Sequence, residues 1–333
     1  MSDVTAARVV SGMRPTGKLH IGHWQGALIN WINLQKKYDC MFFVADWHAL
    51  TTIYSDTSNL KSYIFEMVCD WLAVGVDPKK SILFVQSEVK QHAEFFLLLS
   101  MIVPLGWLER CPTYKEYIQQ IKTKESATYG FLGYPVLQTA DITAYKASMV
   151  PVGEDQVPHL ELAREIVRRF HHIYKTDILA EPKAYLTKAP KILGTDGRKM
   201  SKSYNNCIYI SDNEKDTQKK ISRMITDPAR IKADDPGHPE VCSIFLLHKI
   251  LNKDHEVLRQ VCKKGEIGCV ACKKKIAEIL NNELAPIRKK REDIAEDSSF
   301  VWDILKEGET KARQMCEKTL DEVHKVMGID NYK

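Results

Sequence analysis

Residues 11–23 read SGMRPTGKLHIGH and join a predicted strand, Arg8–Ser11, to a predicted amphipathic helix, Gly22–Tyr38. A glycine-rich turn that leads from a strand into a helix presents unpaired N–H groups and a partial positive charge to a phosphate. His20 and His23 add two imidazoles that can donate hydrogen bonds to phosphate oxygens. A lone histidine here is more often an ordinary helix-start residue, but the whole combination predicts a nucleotide site.

Predicted strands and helices alternate outward from this turn. Buried strands are predicted at Met41–Ala45 and Ile82–Val85. An amphipathic helix precedes each of them, and a helix over His92–Val103 follows the second. A further strand at Met149–Val152 precedes a helix over Asp155–Phe170. This βαβαβα order predicts an α/β fold, with a Rossmann-like doubly wound parallel sheet covered by helices on both faces. Ligands of such sheets bind beyond the carboxyl ends of the strands.

The second half of the chain is predicted to be helical. Beyond Tyr209 the apolar spacing favours helices almost throughout. We therefore predict a nucleotide-binding domain over residues 1–206 and a helical domain over residues 207–333, with a boundary near Asn205–Ser211.

Composition excludes several classes of protein. The chain has 333 residues, 44% of them apolar and 27% charged, which excludes a disordered chain and a small disulfide scaffold. No apolar run approaches the roughly 20 residues that span a bilayer, and residues 1–5 lack the features of a signal peptide. We expect a cytoplasmic protein with no membrane partner. The net charge of +5 permits a nucleic-acid partner without requiring one.

A second phosphate-binding motif lies far from the first. Residues 199–203 read KMSKS and follow a flexible TDGR turn. Two mobile ammonium groups beside small hydroxyls suit the pyrophosphate end of a nucleotide. A lysine pair in a loop is usually solvated surface, but its combination with the His20–His23 segment favours nucleotide chemistry.

Four of the nine cysteines lie close together in the sequence. Cys242, Cys262, Cys269 and Cys272 have the spacing C-x19-C-x6-C-x2-C. Four thiolates can hold a tetrahedral zinc ion or a 4Fe-4S cluster, and the spacing does not separate the two. The remaining possibility is a set of reduced, inert cysteines in a helical bundle.

These motifs resemble those of the class I aminoacyl-tRNA synthetases. Residues 20–23 match the HIGH signature of that family and residues 199–203 match its KMSKS signature, both without a mismatch. Two further stretches, YPVLQTADI at 134–142 and PVGEDQ at 151–156, are similar to the tryptophan-specific branch. The similarity runs from about Val9 to Met327. It implies activation of L-tryptophan with ATP and Mg²⁺, transfer to tRNA(Trp), and a homodimer whose interface includes Leu105–Ser148.

The resemblance also implies roles for single residues. It assigns catalysis to the paired histidines and the second loop: His20, His23, Lys199, Ser201 and Lys202. It assigns ATP binding to four short segments and two single residues: Arg14, Pro15, Thr16, Gly22, His23, Lys115, Gly153, Glu154, Asp155, Gln156, Ile192, Lys199, Met200, Ser201, Lys202 and Ser203. It assigns tryptophan binding to Asp141, Tyr134, Gln138 and His48.

The chemistry of indole agrees with the role implied for Asp141. Indole has one N–H donor and no acceptor, so a buried carboxylate is a suitable partner. Without the resemblance, Asp141 would more often be a capping carboxylate on a helix, and His48 would be a buried structural histidine.

The cysteine-rich stretch is similar to a loop found in some tryptophanyl enzymes. Residues 262–272 read CKKGEIGCVAC and resemble the ligand loop of members that carry a 4Fe-4S cluster. The resemblance favours that cluster, with zinc as the alternative, and Cys242 is the least certain ligand because the first gap is shorter here. The basic runs Lys273–Lys275 and Arg288–Arg291 are predicted to contact tRNA phosphates, although such runs often form a solvated helix face.

Two other classes of protein remain compatible with the residues themselves. A different nucleotidyltransferase could use a paired-histidine helix start, but it would not need residues 199–203. A catalytically silent relative could act in RNA binding or redox sensing, which the intact motifs argue against.

Overall fold

The computed structural model describes residues 7–120, 127–186 and 190–330, and a parallel sheet lies at the centre of the described chain. Its five strands are β1 (Arg8–Met13), β2 (Asp39–Val44), β3 (Ser81–Val85), β4 (Met149–Val152) and β5 (Lys183–Leu186). They lie in the order β3-β2-β1-β4-β5, and every neighbouring pair is parallel. The order changes direction at β1, which confirms the predicted Rossmann-like α/β fold.

Helices connect the strands and form most of the second half of the chain. In the described residues they are α1 (Ile21–His23), α2 (Ile29–Leu34), α3 (Asp46–Ile53), α4 (Leu60–Val74), α5 (Gln91–Ser100), α6 (Leu105–Glu109), α7 (Pro112–Gln120), α8 (Tyr129–Thr143), α9 (Val157–Tyr174), α10 (Glu214–Arg223), α11 (Ser243–Leu251), α12 (His255–Lys263), α13 (Cys269–Glu296) and α14 (Ser298–Met327). A π-helical segment, Trp24–Leu28, joins α1 to α2. No helix of the described ranges is both long and apolar enough to span a bilayer.

The central strands bury side chains on both faces of the sheet. Phe42 and Val44 of β2 belong to one hydrophobic core, whereas Met41 and Phe43 belong to the other. Successive side chains of a strand point to opposite faces, so a strand that is covered on both sides must be apolar at every position. This requirement explains the continuous apolar runs that made β2 and β3 predictable from the sequence.

The strand β5 and the short helix α3 are not predicted by the sequence. All four residues of β5 are exposed at the edge of the sheet, so its sequence carries no burial pattern. Helix α3 follows directly after β2, and its eight residues show no strong apolar stripe. Both elements are held by their neighbours rather than by their own side-chain pattern.

The last two helices pack back against the sheet and its helices. Helix α14 contacts β3 so closely that a Cβ atom at Gly308 would lie 1.8 Å from the carbonyl oxygen of Leu83. Helix α13 packs against α4, and one hydrophobic core contains Trp71 of α4 together with Leu284 of α13. This core crosses the predicted boundary between residues 206 and 207, and the division into two domains stays a prediction.

A buried ion pair joins α13 to α4. Arg291 Nε donates to Asp70 Oδ1 at 2.6 Å, and its Nη2 donates to Glu66. Asp70 is fully buried and its other oxygen accepts from the backbone N–H of Leu19 at 3.1 Å. Arg291 was predicted to face a tRNA phosphate, but it points into the protein because it compensates a buried carboxylate.

Replacing Arg291 with alanine should therefore destabilise the fold. Removing one partner of a buried pair leaves an uncompensated charge, and we expect the free energy of unfolding to fall by about 3 kcal/mol. Lys289→Ala is the matched control, since Lys289 bonds Asp293 in an exposed i,i+4 pair at 2.9 Å. Its loss should change the free energy of unfolding far less, because solvent screens an exposed pair. Urea titrations followed by circular dichroism measure both, and equal losses would contradict the expectation.

Candidate active site

The loop after β1 brings the two predicted histidines together at a helix start. His20 caps α1, and its Nδ1 accepts from the backbone N–H of Gly22 at 3.1 Å. His23 Nδ1 accepts from the backbone N–H of His20 at 3.2 Å. Since each Nδ1 is an acceptor, the proton of each neutral ring lies on Nε2, where it can donate to an anion.

Burial keeps both histidines uncharged near neutral pH. Burial, with the ammonium groups of Lys202 and Lys199 nearby, lowers the pKa of His20 to about 4. Burial, with His20 and Lys202 nearby, also lowers the pKa of His23 well below its usual value. Both neutral rings can therefore donate through Nε2, and the positive charge nearby belongs to the lysines.

The structure brings the second motif against the first. Lys202 Nζ donates to the carbonyl oxygen of Gly17 at 2.8 Å and approaches Thr16 Oγ1 at 3.2 Å. Gly17 has a φ of +101°, a conformation that favours glycine and turns the loop toward the lysine. Burial lowers the pKa of Lys202 to about 8. Residues 186 positions apart thus form one cationic site.

Asn206 organises the second loop and was not predicted as a site residue. It is 1% exposed, and its Oδ1 accepts from the backbone N–H of Ser201 at 2.8 Å. Its Nδ2 donates to Asp196 Oδ1 at 2.7 Å and to the carbonyl oxygen of Lys199 at 3.2 Å. One buried amide therefore ties Asp196 in the turn to Lys199 and Ser201 of the segment that follows it.

A cavity of about 450 Å³ opens beside these loops at the carboxyl ends of the strands. This volume is typical of a small-molecule site. The predicted residues among its lining are Arg14, His48, Tyr134, Gln138, Asp141, Gly153 and Gln156. The predicted tryptophan-binding set thus shares one cavity with part of the predicted ATP-binding set.

Asp141 is the buried carboxylate of this cavity, and internal donors surround it. His48 Nε2 contacts Oδ2 at 2.8 Å, and Gln86 Nε2 donates to both oxygens at 2.9 Å. His92 Nδ1 contacts Oδ1 at 2.5 Å. Burial alone raises the pKa of Asp141, but the hydrogen bonds from His48 and His92 outweigh burial and lower it to about 2. The carboxylate is therefore ionised and acts only as an acceptor.

A second polar cluster in the lining of the cavity is centred on Tyr134. The hydroxyl of Tyr134 is hydrogen-bonded to His159 Nε2, which Thr113 Oγ1 also approaches at 3.3 Å. His159 and Thr113 were not predicted, although both line the cavity. Gln86 and His92 were also missed. Gln86 follows β3 directly and His92 lies near the start of the next α-helix, α5, and this closeness to the carboxyl edge of the sheet is the sequence signal that could have found them.

Several predicted ATP-binding residues lie outside the lining of the cavity. Glu154, Asp155, Lys115 and Ser203 have exposed side chains, and Pro15 is buried. Ile192 and Met200 are buried under the second loop, where Met200 N–H donates to the carbonyl oxygen of Ile192 at 3.0 Å. Roles for these residues in ATP binding stay predictions.

The four clustered cysteines line one small cavity between α12, the start of α13 and the segment before α11. Cys242, Cys262, Cys269 and Cys272 surround a space of about 20 Å³, and Arg230 Nη1 lies 4.0 Å from Cys269 Sγ. Burial raises the pKa of Cys272 to about 12, with the other three thiols adding to the shift. Within the described residues no three His, Cys, Asp or Glu side chains already form a metal-binding group. The donor set suits four-sulfur coordination once the thiols lose their protons.

Comparison with known proteins agrees with this geometry. Residues 3–285 match the model of a family described as tRNA synthetases class I (W and Y). The tryptophan--tRNA ligase of Thermotoga maritima is 52% identical over 97% of this chain and 99% of its own length. That of Aquifex aeolicus is 43% identical over 97% of this chain and 100% of its own length.

Solved structures agree as well. The crystal structure of tryptophanyl-tRNA synthetase from Campylobacter jejuni, complexed with ADP and tryptophan, matches with a TM-score of 0.86 at 34% identity. The match covers 96% of this chain and 99% of that one. The family match and these full-length similarities show that the chain belongs to the class I tRNA synthetases, among the tryptophan--tRNA ligases.

Proposed function

We propose that this chain activates L-tryptophan with ATP and transfers it to tRNA(Trp). The observation that carries the proposal is the buried, ionised Asp141 in a cavity beside the joined loops of the two phosphate motifs. The names of the relatives and the ADP and tryptophan in the Campylobacter jejuni complex support the same substrates.

Asp141 is proposed to accept a hydrogen bond from the indole N–H. An ionised carboxylate offers acceptors only, and indole offers one donor only, so the two are complementary. Sites that hydrogen-bond a substrate N–H or O–H can reject analogues lacking it by roughly 10⁴–10⁵. His48, Tyr134 and Gln138 line the same cavity and complete the proposed tryptophan site.

Activation is proposed to occur between this cavity and the paired loops. A carboxylate oxygen of tryptophan forms a bond to the α-phosphorus of ATP, and the bond from that phosphorus to pyrophosphate breaks. The Nε2 protons of His20 and His23 donate to phosphate oxygens, while Lys199, Ser201 and Lys202 hold the departing pyrophosphate. Mg²⁺ accompanies ATP as part of the substrate. The remaining proposed contacts to ATP include Arg14, Thr16, Gly22, Gly153 and Gln156.

The surface residues suit the proposed macromolecular partners. Lys274, Lys275, Lys289 and Lys290 are exposed on α13 and are proposed to meet tRNA phosphates. Exposed apolar side chains near the predicted dimer interface include those of Met101, Leu105 and Tyr129, which are 69%, 58% and 67% exposed. Their exposure supports a homodimer through this face.

The four cysteines are proposed to hold a 4Fe-4S cluster. Convergence of Cys242, Cys262, Cys269 and Cys272 on one cavity supports four-sulfur coordination. A bound cluster would link α12, the start of α13 and the segment before α11, and we assign it this structural role. None of the nine cysteines, all of them among the described residues, is in a disulfide, and we propose a location in the reducing cytoplasm.

Exchange of pyrophosphate into ATP tests the proposed activity. Measured with each of the twenty amino acids, exchange should require tryptophan, and Asp141→Ala should lose most of it through a higher KM for tryptophan. Exchange with tyrosine alone, or with no amino acid, would contradict the proposal.

The pH dependence of kcat/KM for ATP tests the role of Lys202. Its pKa of about 8 means that the ammonium is charged below this pH and neutral above it. We expect kcat/KM for ATP to fall as the pH rises through about 8, since this parameter reports the free enzyme. In Lys202→Arg the guanidinium stays charged, so this fall should be absent. A fall that persists in Lys202→Arg would argue against the assignment.

Metal content tests the cysteine site. Anaerobically purified protein should be brown and contain about four irons and four sulfides per chain. Cys269→Ser should lose the colour, whereas Cys40→Ser, which alters a buried cysteine in β2, should keep it. Colourless wild-type protein with one zinc per chain would replace the cluster by the zinc alternative, and protein without metal would exclude both.

A further inference from the structure

A buried chain of side chains leads away from Asp141 into the core. His92 contacts Asp141 Oδ1 through Nδ1, and its Nε2 contacts the hydroxyl of Tyr145 at 2.5 Å. His92 is 0% exposed and Tyr145 is 1% exposed. Neither residue lines the cavity, so both lie behind the wall that Asp141 presents to a ligand.

The direction of the hydrogen bonds in this chain follows from the charge of Asp141. The ionised carboxylate has no proton to give, so His92 Nδ1 must be the donor to it. A neutral His92 then offers Nε2 as an acceptor, and the hydroxyl of Tyr145 donates to it. Burial raises the pKa of Tyr145 well above its usual value, so the hydroxyl keeps its proton.

Packing holds this chain in one conformation. The ring centroid of His92 lies 6.2 Å from that of Phe43 and 6.0 Å from that of Phe84. The two phenylalanines stack on each other at 5.5 Å, and Tyr145 meets Phe84 edge-on at 5.6 Å. The imidazole is fully buried among these rings and bonded at both nitrogens, so its donor points at one carboxylate oxygen.

The other side of Asp141 faces the cavity. His48 contacts Oδ2, and its side chain is 12% exposed where it lines the cavity. Gln86 bridges both oxygens, whereas the buried His92 contacts only Oδ1 and His48 contacts only Oδ2, at the cavity wall. This asymmetry separates the side that fixes the carboxylate from the side that can meet a ligand.

We propose that His92 and Tyr145 are positioning residues that fix Asp141 from behind and thereby set the selectivity of the cavity for a substrate with a ring N–H. The inference rests on the proposed contact between Asp141 and the indole N–H. It predicts that the two buried residues affect recognition of that one group and leave the ATP site unchanged.

A substrate pair that differs only at this group tests the inference. L-Tryptophan is compared with 3-(benzothiophen-3-yl)-L-alanine, in which sulfur replaces the N–H. The ratio of their kcat/KM values in pyrophosphate exchange measures the preference for the N–H. Wild-type protein should prefer tryptophan strongly.

Tyr145→Phe keeps the volume of the ring and removes only the hydroxyl. We expect it to lower the preference about tenfold through a higher KM for tryptophan, with the KM for ATP and the kcat/KM of the sulfur analogue unchanged. His92→Leu should lower the preference further, and His92→Asn, whose amide can replace Nδ1 as donor, should restore part of it. Tyr174→Phe is the matched control, since Tyr174 packs against the same core without touching Asp141.

The outcomes separate this inference from the proposed function. A wild-type enzyme without preference for the N–H would overturn the role of Asp141 and the inference with it. A strong wild-type preference that Tyr145→Phe and His92→Leu leave intact would overturn the inference alone. Equal losses with both substrates would show a purely structural role and would also overturn it. If His92→Leu does not fold, Tyr145→Phe decides the question.

Discussion

The buried carboxylate of Asp70 connects the parts of this protein that must work together. One of its oxygens accepts a hydrogen bond from the backbone N–H of Leu19, in the loop after β1. The other accepts from Arg291 of α13. A buried charge is costly unless it is paired and hydrogen-bonded, so these contacts cannot be lost singly without a large penalty. The position of the loop that carries His20 and His23 therefore depends on the packing of α13 against α4.

The same rule shapes the cavity. Asp141 is as well buried as Asp70. Three side chains donate hydrogen bonds to it: His48 of α3, Gln86 directly after β3, and His92 of α5. Such a carboxylate stays ionised, has a defined orientation and suits a ligand that brings a single donor. Both buried acids lie within helices, and both are satisfied by residues from other elements. Stability and recognition therefore use one physical device, a carboxylate surrounded by fixed donors.

The sequence predicted the sheet because its central strands are buried on both faces and must be apolar throughout. It missed β5, whose side chains are exposed, and it assigned Arg291 to a surface run because its partners, Glu66 and Asp70, are more than 200 positions away. His92 was missed for the same reason, because Asp141 and Tyr145 lie 49 and 53 positions away. Asn206 was missed although its partners lie within ten positions, because a local pattern does not record which amide becomes buried and bonded.

What the sequence by itself determined is the chemistry: two short phosphate motifs, the family to which they belong, and four cysteines at ligand-like spacing. A short stretch of sequence is enough to predict the phosphate motifs, because a loop that enters a helix presents the unpaired N–H groups of the helix start to a phosphate. Only the tertiary structure decided that Lys202 meets the first loop, that Asp141 is held by His48, Gln86 and His92, and that the cysteines share one cavity. These features depend on the burial of charges and donors from distant segments, and burial exists only once the chain has folded.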